Sequence, residues 1–306
     1  MEFSTLEIFH AVATQKSVTQ AARRLARVQS NVSTRVRHLE EELEVELFSR
    51  RGRQMTLTPQ GQKMLEYAQR LLSLAEEARL AMKHEQAAPR LRIGAMESTA
   101  AARLPGLLSA YHSRWPQVEL EILIGTSCSL VEDVANGRLD CAFVAEATFQ
   151  GSLVRQNPIT AHGLQAVRAY TEEMLLVLPP QHPPVQRPQD IQLTAIAAFP
   201  GGCTYRHTLE QWLGSMNGNL REGWKVVEHA SYHAILASVV AGSCFALCPR
   251  SVLDLRPAPV ELVTLPIATI DTFLVARPGY ASSAYEELVR YVQAAGSAFA
   301  QRRVAV

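Results

Sequence analysis

Apolar residues near the N-terminus recur at helical spacing. Leu6, Phe9 and Ala13 predict a first helix. Ala21, Ala22 and Leu25 predict a second, short helix over residues 19–25, with Ser17 and Thr19 as available caps. Ala26-Arg27-Val28 reads as a tight connection. Val32, Val36, Leu39 and Leu43, at spacings of four, three and four, give a third helix over about residues 30–43 one buried seam. Its opposite face carries Asn31, Ser33, Thr34, Arg35 and His38. A short helix, a three-residue turn and a longer helix with a polar, basic face make a helix-turn-helix. The second helix of such a unit enters the DNA major groove with its N-terminal residues nearest the base edges. Here those residues are Gln29, Ser30, Asn31, Ser33, Thr34 and Arg35.

After Leu47-Phe48, residues 49–58 read as a hairpin with a turn at Gly52 flanked by Arg50, Arg51 and Arg53. A basic hairpin beside a recognition helix is a wing that can reach a narrow minor groove. Thr58-Pro59 then starts a helix, with a hydroxyl cap followed by proline at the first helical position. No proline follows until Pro89. Met64, Ala68, Leu71, Ala75, Ala78 and Met82 fall at heptad spacing, and Leu65 and Leu72 widen the stripe. No short N-terminal element is expected to cover so long a stripe, so it predicts a two-chain coil. A two-fold dimer would offer two recognition helices to a pseudo-palindromic site. Ala87-Ala88-Pro89 ends the helix as a hinge.

From Arg90 the pattern changes to strands alternating with helices, which means βαβ crossovers and parallel sheet. Strands are expected over residues 91–95, 118–124 and 140–144, with helices over 99–114 and 130–136. The phase repeats with strands over 195–199, 224–229 and 244–247 and helices over 207–213 and 233–241. Two similar units predict two lobes, with a strand over 269–276 and a helix over 282–302 returning to the first.

Composition narrows the class. The 306 residues suggest two domains at about 150 residues each. Apolar residues make up 47% and charged residues 19%, an ordinary globular composition. The 30 basic and 29 acidic residues leave a net charge of +1, which excludes a basic nucleic-acid coat and an acidic tail. The balance hides a local patch. Residues 16–38 hold Lys16, Arg23, Arg24, Arg27, Arg35 and Arg37 with no acid; Glu40, Glu41, Glu42, Glu44 and Glu46 follow. The first residues lack the basic and apolar regions of a secretion signal, and no apolar run of about 18 residues occurs. With Cys128, Cys141, Cys203, Cys244 and Cys248 read as reduced thiols, the expected location is cytoplasmic. GxSxG, P-loop, HExxH and GxGxxG motifs are all missing from the sequence, and the histidines have no metal-ligand spacing. The expectation is a non-enzyme with no cofactor and no metal.

The stretch from Ser17 to Leu25, then Gln29-Ser30-Asn31-Val32-Ser33, Leu39 to Leu43, Leu47-Phe48-Ser49-Arg50 and Leu57-Thr58-Pro59-Gln60-Gly61 resembles the LysR-type transcriptional regulators. Ser30 stands where that family often has proline, so a side chain is expected to cap the first turn of the third helix. The resemblance implies that Gln29, Ser30, Asn31, Ser33 and Thr34 face the major groove, with Arg53 on the wing. It extends by pattern over the whole chain. The implied fold is an all-α winged helix-turn-helix with a long linker helix, then an α/β two-lobed domain like the periplasmic binding proteins. The expected bounds are 1–58 for DNA binding, 59–88 for the linker and 89–306 for effector binding. Lobe I would take 90–163 and 267–306, and lobe II 164–266. The implied partners are double-stranded DNA, a small effector, RNA polymerase and further copies of the chain as a homodimer or homotetramer, with no membrane.

Ligands of open α/β sheets sit where strands give way to helix N-termini. Ser98, Thr99 and Thr126 from the first lobe and Thr204 and Arg206 from the second occupy such positions. They predict a cleft for a small anionic or zwitterionic metabolite. Cys203, in a Gly-Gly-Cys turn at an expected helix start, raises the alternative of a thiol redox sensor. The helix after it holds no second cysteine, so a pocket-lining role is preferred.

Overall fold

The computed structural model describes residues 1–49, 55–81, 90–146, 159, 162–214, 223–255 and 261–302. The chain divides into two compact units, one N-terminal and one that begins with the first long strand.

In the first unit, α1 (Phe3–Gln15), α2 (Val18–Arg24) and α3 (Gln29–Leu43) enclose a core in which Ile8, Phe9, Val12, Ala21, Val32 and Leu39 are wholly buried. Ser17 caps α2, accepting from the Gln20 N–H at 3.4 Å. Ala26, at φ 51°, turns the chain into α3. That helix starts at Gln29 behind Val28, whose side chain makes no capping bond. Ser30 therefore lies within the first turn and does not supply the expected cap. Thr58 does cap α4 (Pro59–Ala81), accepting from the Gly61 N–H at 2.9 Å.

The hairpin strands β1 (Phe48–Ser49) and β2 (Thr56–Leu57) pair antiparallel, Phe48 opposite Leu57. The tip, with Arg50, Arg51 and Arg53, lies outside the described residues. Glu40 holds the hairpin to α3. One carboxylate oxygen accepts from the backbone N–H of Leu47 at 2.8 Å and of Phe48 at 3.1 Å. Both residues are buried, so Glu40→Ala leaves two donors unsatisfied. Its expected cost is about 2 kcal/mol. Urea unfolding of the full chain checks this, and an unchanged midpoint would remove Glu40 from the hairpin's support.

The apolar stripe of α4 divides differently from the expectation. Ala68 is fully buried, and Met64, Leu65, Leu71 and Leu72 pack against the unit's own helical core. The cause is that α1–α3 leave an open apolar side, and the start of α4 closes it. Ala75 is half-buried and Ala78 exposed; Met82 lies outside the described residues. Tyr67 and Leu74, seven residues apart, are left 49% and 61% exposed.

The second unit contains β3 (Arg90–Ala95), α5 (Glu97–Ala102), α6 (Leu104–Arg114), β4 (Glu119–Ile124), α7 (Ser127–Ala135) and β5 (Cys141–Glu146). After β6 (Gln165–Leu178) come β7 (Ala195–Ala198), α8 (Thr204–Trp212), β8 (Lys225–Glu228), α9 (Tyr232–Val240), β9 (Ala246–Pro249) and α10 (Arg250–Leu253). β10 (Val263–Ala276) and α11 (Ser283–Arg302) complete it. A six-stranded sheet runs β4-β3-β5-β10-β6-β9, with β3 parallel to β4 and β5 and the other pairings antiparallel. β7 and β8 form a parallel pair, joined to the segment before β9 through Ile196 and Phe245. This is a two-lobed α/β module.

Two features differ from the sequence reading. The helix expected over 99–114 is broken at Arg103, because Pro105 has no N–H to continue it. The 14-residue β6 has no strand pattern in the sequence, since Arg168, Glu172 and Glu173 interrupt its apolar positions. β6 and β10 run continuously through both lobes. Asp271–Ala276 pair with β5 in the first lobe, and residues 174–177 pair with β9 in the second. The passage between lobes thus lies inside these two long strands. Among the described residues, no helix is long and apolar enough to cross a membrane.

Candidate functional site

Two surfaces bear on function. On α3, the buried Val32, Val36 and Leu39 turn the opposite face outward, and Gln29, Ser30, Asn31, Ser33 and Thr34 are all exposed. Gln29 accepts a hydrogen bond from the Thr19 hydroxyl at 3.2 Å, which ties the start of α3 to α2. Arg35 departs from the expectation: its guanidinium pairs with Glu2 at 2.8 Å. Arg23, Arg24 and Arg27 stand exposed nearby.

In the second unit, the carboxyl ends of four strands converge on one cavity of about 190 Å³. Met96, Glu97 and Ser98 follow β3; Ile124, Gly125, Thr126 and Ser127 end β4 and open α7. Phe199, Pro200, Cys203 and Tyr205 follow β7, and Ala230 and Tyr232 follow β8. Hydrogen bonds cross between the lobes around it. The Tyr232 N–H donates to Glu97 Oε1 at 3.2 Å, the Thr204 hydroxyl to the Ala145 carbonyl at 3.1 Å, and the Cys128 N–H to the Gly202 carbonyl at 3.4 Å. Gly202 has φ +87°, a conformation that favours glycine, and a Cβ there would sit 3.2 Å from Thr126 Oγ1.

A buried polar cluster stands where the lobes join. Thr99 Oγ1 and the Tyr170 hydroxyl are 2.6 Å apart. Arg103 pairs with Glu172 at 2.8 Å and lies over the Tyr170 ring, 5.1 Å from its centroid. The Tyr205 hydroxyl is buried with no partner in hydrogen-bond geometry, although the Ser98 and Thr272 hydroxyls lie close to it. Burial pushes the Tyr170, Tyr205 and Tyr232 phenols well up from their ordinary values.

Of the predicted effector residues, Ser98 and Thr126 line the cavity. Thr99 faces Tyr170 instead, and Thr204 bonds to the Ala145 carbonyl. Arg206 is held by Glu210 at 2.8 Å and Glu228 at 2.7 Å, and donates to the Phe199 carbonyl. No Lys, Arg or His is among the described residues lining the cavity. Glu97, Phe199, Tyr205 and Tyr232 also line the cavity; Glu97 adjoins Ser98 and Tyr205 adjoins Thr204 in the sequence. Which residue of a strand-end stretch turns inward depends on the backbone of the turn, and that leaves no mark in composition.

Cys203 stands before α8 and is mostly shielded from solvent. Burial raises its thiol pKa, outweighing the backbone N–H groups of Tyr205 and Arg206 that favour the thiolate. Cys128, on α7, lies near enough to add to that shift, and its own thiol is pushed up by burial.

A winged helix-turn-helix followed by a two-lobed binding module is the plan of a DNA-binding regulator with a substrate-binding domain. Residues 3–62 match the bacterial regulatory helix-turn-helix proteins of the lysR family, and residues 84–297 match the LysR substrate binding domain. The chain belongs to the LysR family. It is 35% identical over 258 residues to the transcriptional regulator GltR of Bacillus subtilis, covering 83% of this chain and 81% of that protein. It is 32% identical to SoxR of an Arthrobacter strain, covering 84% and 83%. Full-length OxyR from Pseudomonas aeruginosa shares the fold with a TM-score of 0.71 at 20% identity, over 96% of this chain and 95% of that one. CbnR, a LysR family transcriptional regulator, aligns over 97% of this chain and 99% of its own with a TM-score of 0.63 at 22% identity. GltR, SoxR and CbnR are named as transcriptional regulators.

Proposed function

We propose that this LysR-type regulator controls transcription in response to a small metabolite bound in the cleft between its lobes. The observation that carries the reading is the convergence of four strand ends on one cavity. The N-termini of α7 and α8 at that cleft suit a carboxylate on the metabolite. Binding would favour one arrangement of the lobes, by as much as the ligand's affinities for the two arrangements differ. The raised thiol of Cys203 argues against redox sensing as the primary signal. A thermal-shift screen of small metabolites on the full chain tests the proposal. Hits should lose their effect in Thr126→Trp, which fills the cavity; hits that stabilise both proteins equally would place the ligand elsewhere.

On DNA, Gln29, Ser30, Asn31, Ser33 and Thr34 would read base edges, with Arg53 on the wing and RNA polymerase as a further partner. Arg35, engaged by Glu2, would play a lesser part. The chain would act as a homodimer or homotetramer. On α4 the outward seam would be Tyr67, Leu74 and Ala78, which the core leaves exposed. Leu74→Glu is expected to halve the mass seen by light scattering without changing the fold of the monomer, since Leu74 is 61% exposed. An unchanged mass would return this face of α4 to solvent.

A further inference from the structure

Glu97 and the aromatic walls of the cleft supply an observation that the family plan does not. Glu97 Oε1 accepts from the Tyr232 N–H, while Oε2 is buried with no partner. The cavity it lines has no basic residue among its described lining. Burial pushes the Glu97 carboxyl up, with the Tyr232 N–H and then the His233 charge drawing it down; Arg206 is held by Glu210 and Glu228. The cavity walls include Phe199 and Tyr232, packed edge to face with centroids 5.0 Å apart, and Tyr205. The Tyr232 hydroxyl is also buried without a partner, and Tyr205, whose hydroxyl has those of Ser98 and Thr272 close by, is likewise at least nine-tenths buried. An unpartnered carboxylate oxygen among aromatic rings is complementary to a positively charged N–H donor on an apolar body.

We propose that the cleft ligand is an amine, its ammonium group pairing with the Glu97 carboxylate and its apolar body lying against Phe199, Tyr205 and Tyr232. The assignment rests on the reading of this cleft as the effector site. It makes the ammonium the group that the site demands. A carboxylate on the same ligand, as in an amino acid, is compatible with the helix N-termini at the cleft, whereas a simple acid leaves Glu97 unanswered beside a second negative charge.

The test is thermal-shift and calorimetric titration of the full-length protein with two matched sets of probes. These are leucine and phenylalanine, their decarboxylated amines isoamylamine and phenethylamine, and their deaminated acids 4-methylpentanoate and 3-phenylpropionate. The expected result is binding of amine-bearing probes at least about tenfold tighter than of the matched acids. That preference should be lost in Glu97→Gln and retained in Glu97→Asp, which keeps the carboxylate; the Asp variant also serves if the Gln variant does not fold. Acids that bind as well as their amine-bearing counterparts overturn the proposal, as does an unchanged preference in Glu97→Gln or binding of no probe. Thr126→Trp separates the two readings. Acids that bind the parent but not this variant leave the cleft as the site and remove the amine. Probes that bind both proteins equally remove both.

Discussion

Gly61→Ala is expected to destabilise the N-terminal unit by about 3 kcal/mol or more and to abolish tight operator binding. A Cβ on residue 61 would lie 1.9 Å from the Leu47 carbonyl oxygen and 2.9 Å from its carbon. The atoms in the way are backbone, so no rotamer change relieves the contact. The same carbonyl accepts the Thr58 N–H at 3.0 Å, and the Gly61 N–H is bound by the Thr58 hydroxyl at 2.9 Å. The first turn of α4 and the base of the hairpin are thus locked at one point. Any shift that makes room for a methyl group breaks this lock and moves α4, whose Ala68 is fully buried against the helical core. Thermal unfolding of the full chain, followed with operator binding, measures the effect. A variant that melts and binds like the parent would mean that α4 and the hairpin are not held together here.

Glu172→Ala is expected to cost about 3 kcal/mol in the second unit, the low end for breaking a buried pair because Arg103 keeps 23% of its side chain exposed. Glu172, only 4% exposed, lies on β6 close to the passage between lobes. Without it the Arg103 guanidinium loses its carboxylate inside a half-dry cluster. Tyr170, over which Arg103 stacks, and Thr99, bonded to Tyr170, lose their alignment with it. Arg103→Met combined with Glu172→Leu removes both charges and should recover most of the stability, because the desolvation of each ion disappears with the other. Urea unfolding of the single and double variants decides the matter. A double variant no better than Glu172→Ala would assign the loss to packing instead of to the broken Arg103–Glu172 pair.

The parts of this protein that were legible in the sequence are those with a short-range physical cause. The helical periods at Leu6, Phe9 and Ala13 and at Val32, Val36 and Leu39 name the buried faces of α1 and α3, because a helix repeats its face every few residues. The cap at Ser17 and the Thr58-Pro59 start are local hydrogen-bond and φ preferences. The strand ends that open onto the cavity were legible too, as a change from apolar runs to Gly, Ser and Thr.

Tertiary structure decided what those local signals leave open. A heptad stripe on α4 can face its own core or a partner, and only the open side of α1–α3 assigns Met64, Ala68 and Leu71 to the core. The polar positions of β6 interrupt its apolar pattern, and only pairing with β10 along its length makes one strand of it. At the cleft, sequence reading placed hydroxyls by their distance from strand ends. Which of them reach the cavity depends on contacts made across the chain: Thr99 meets Tyr170, Thr204 meets Ala145, and Arg206 meets Glu228. The sequence by itself determined the helix-turn-helix, the α/β repeat and the four strand ends, because periodicity and caps are properties of neighbouring residues. Only the fold decided that Glu97 keeps an unanswered carboxylate oxygen there while Arg206 gains Glu228 beside its helical neighbour Glu210, because Glu228 reaches it from β8.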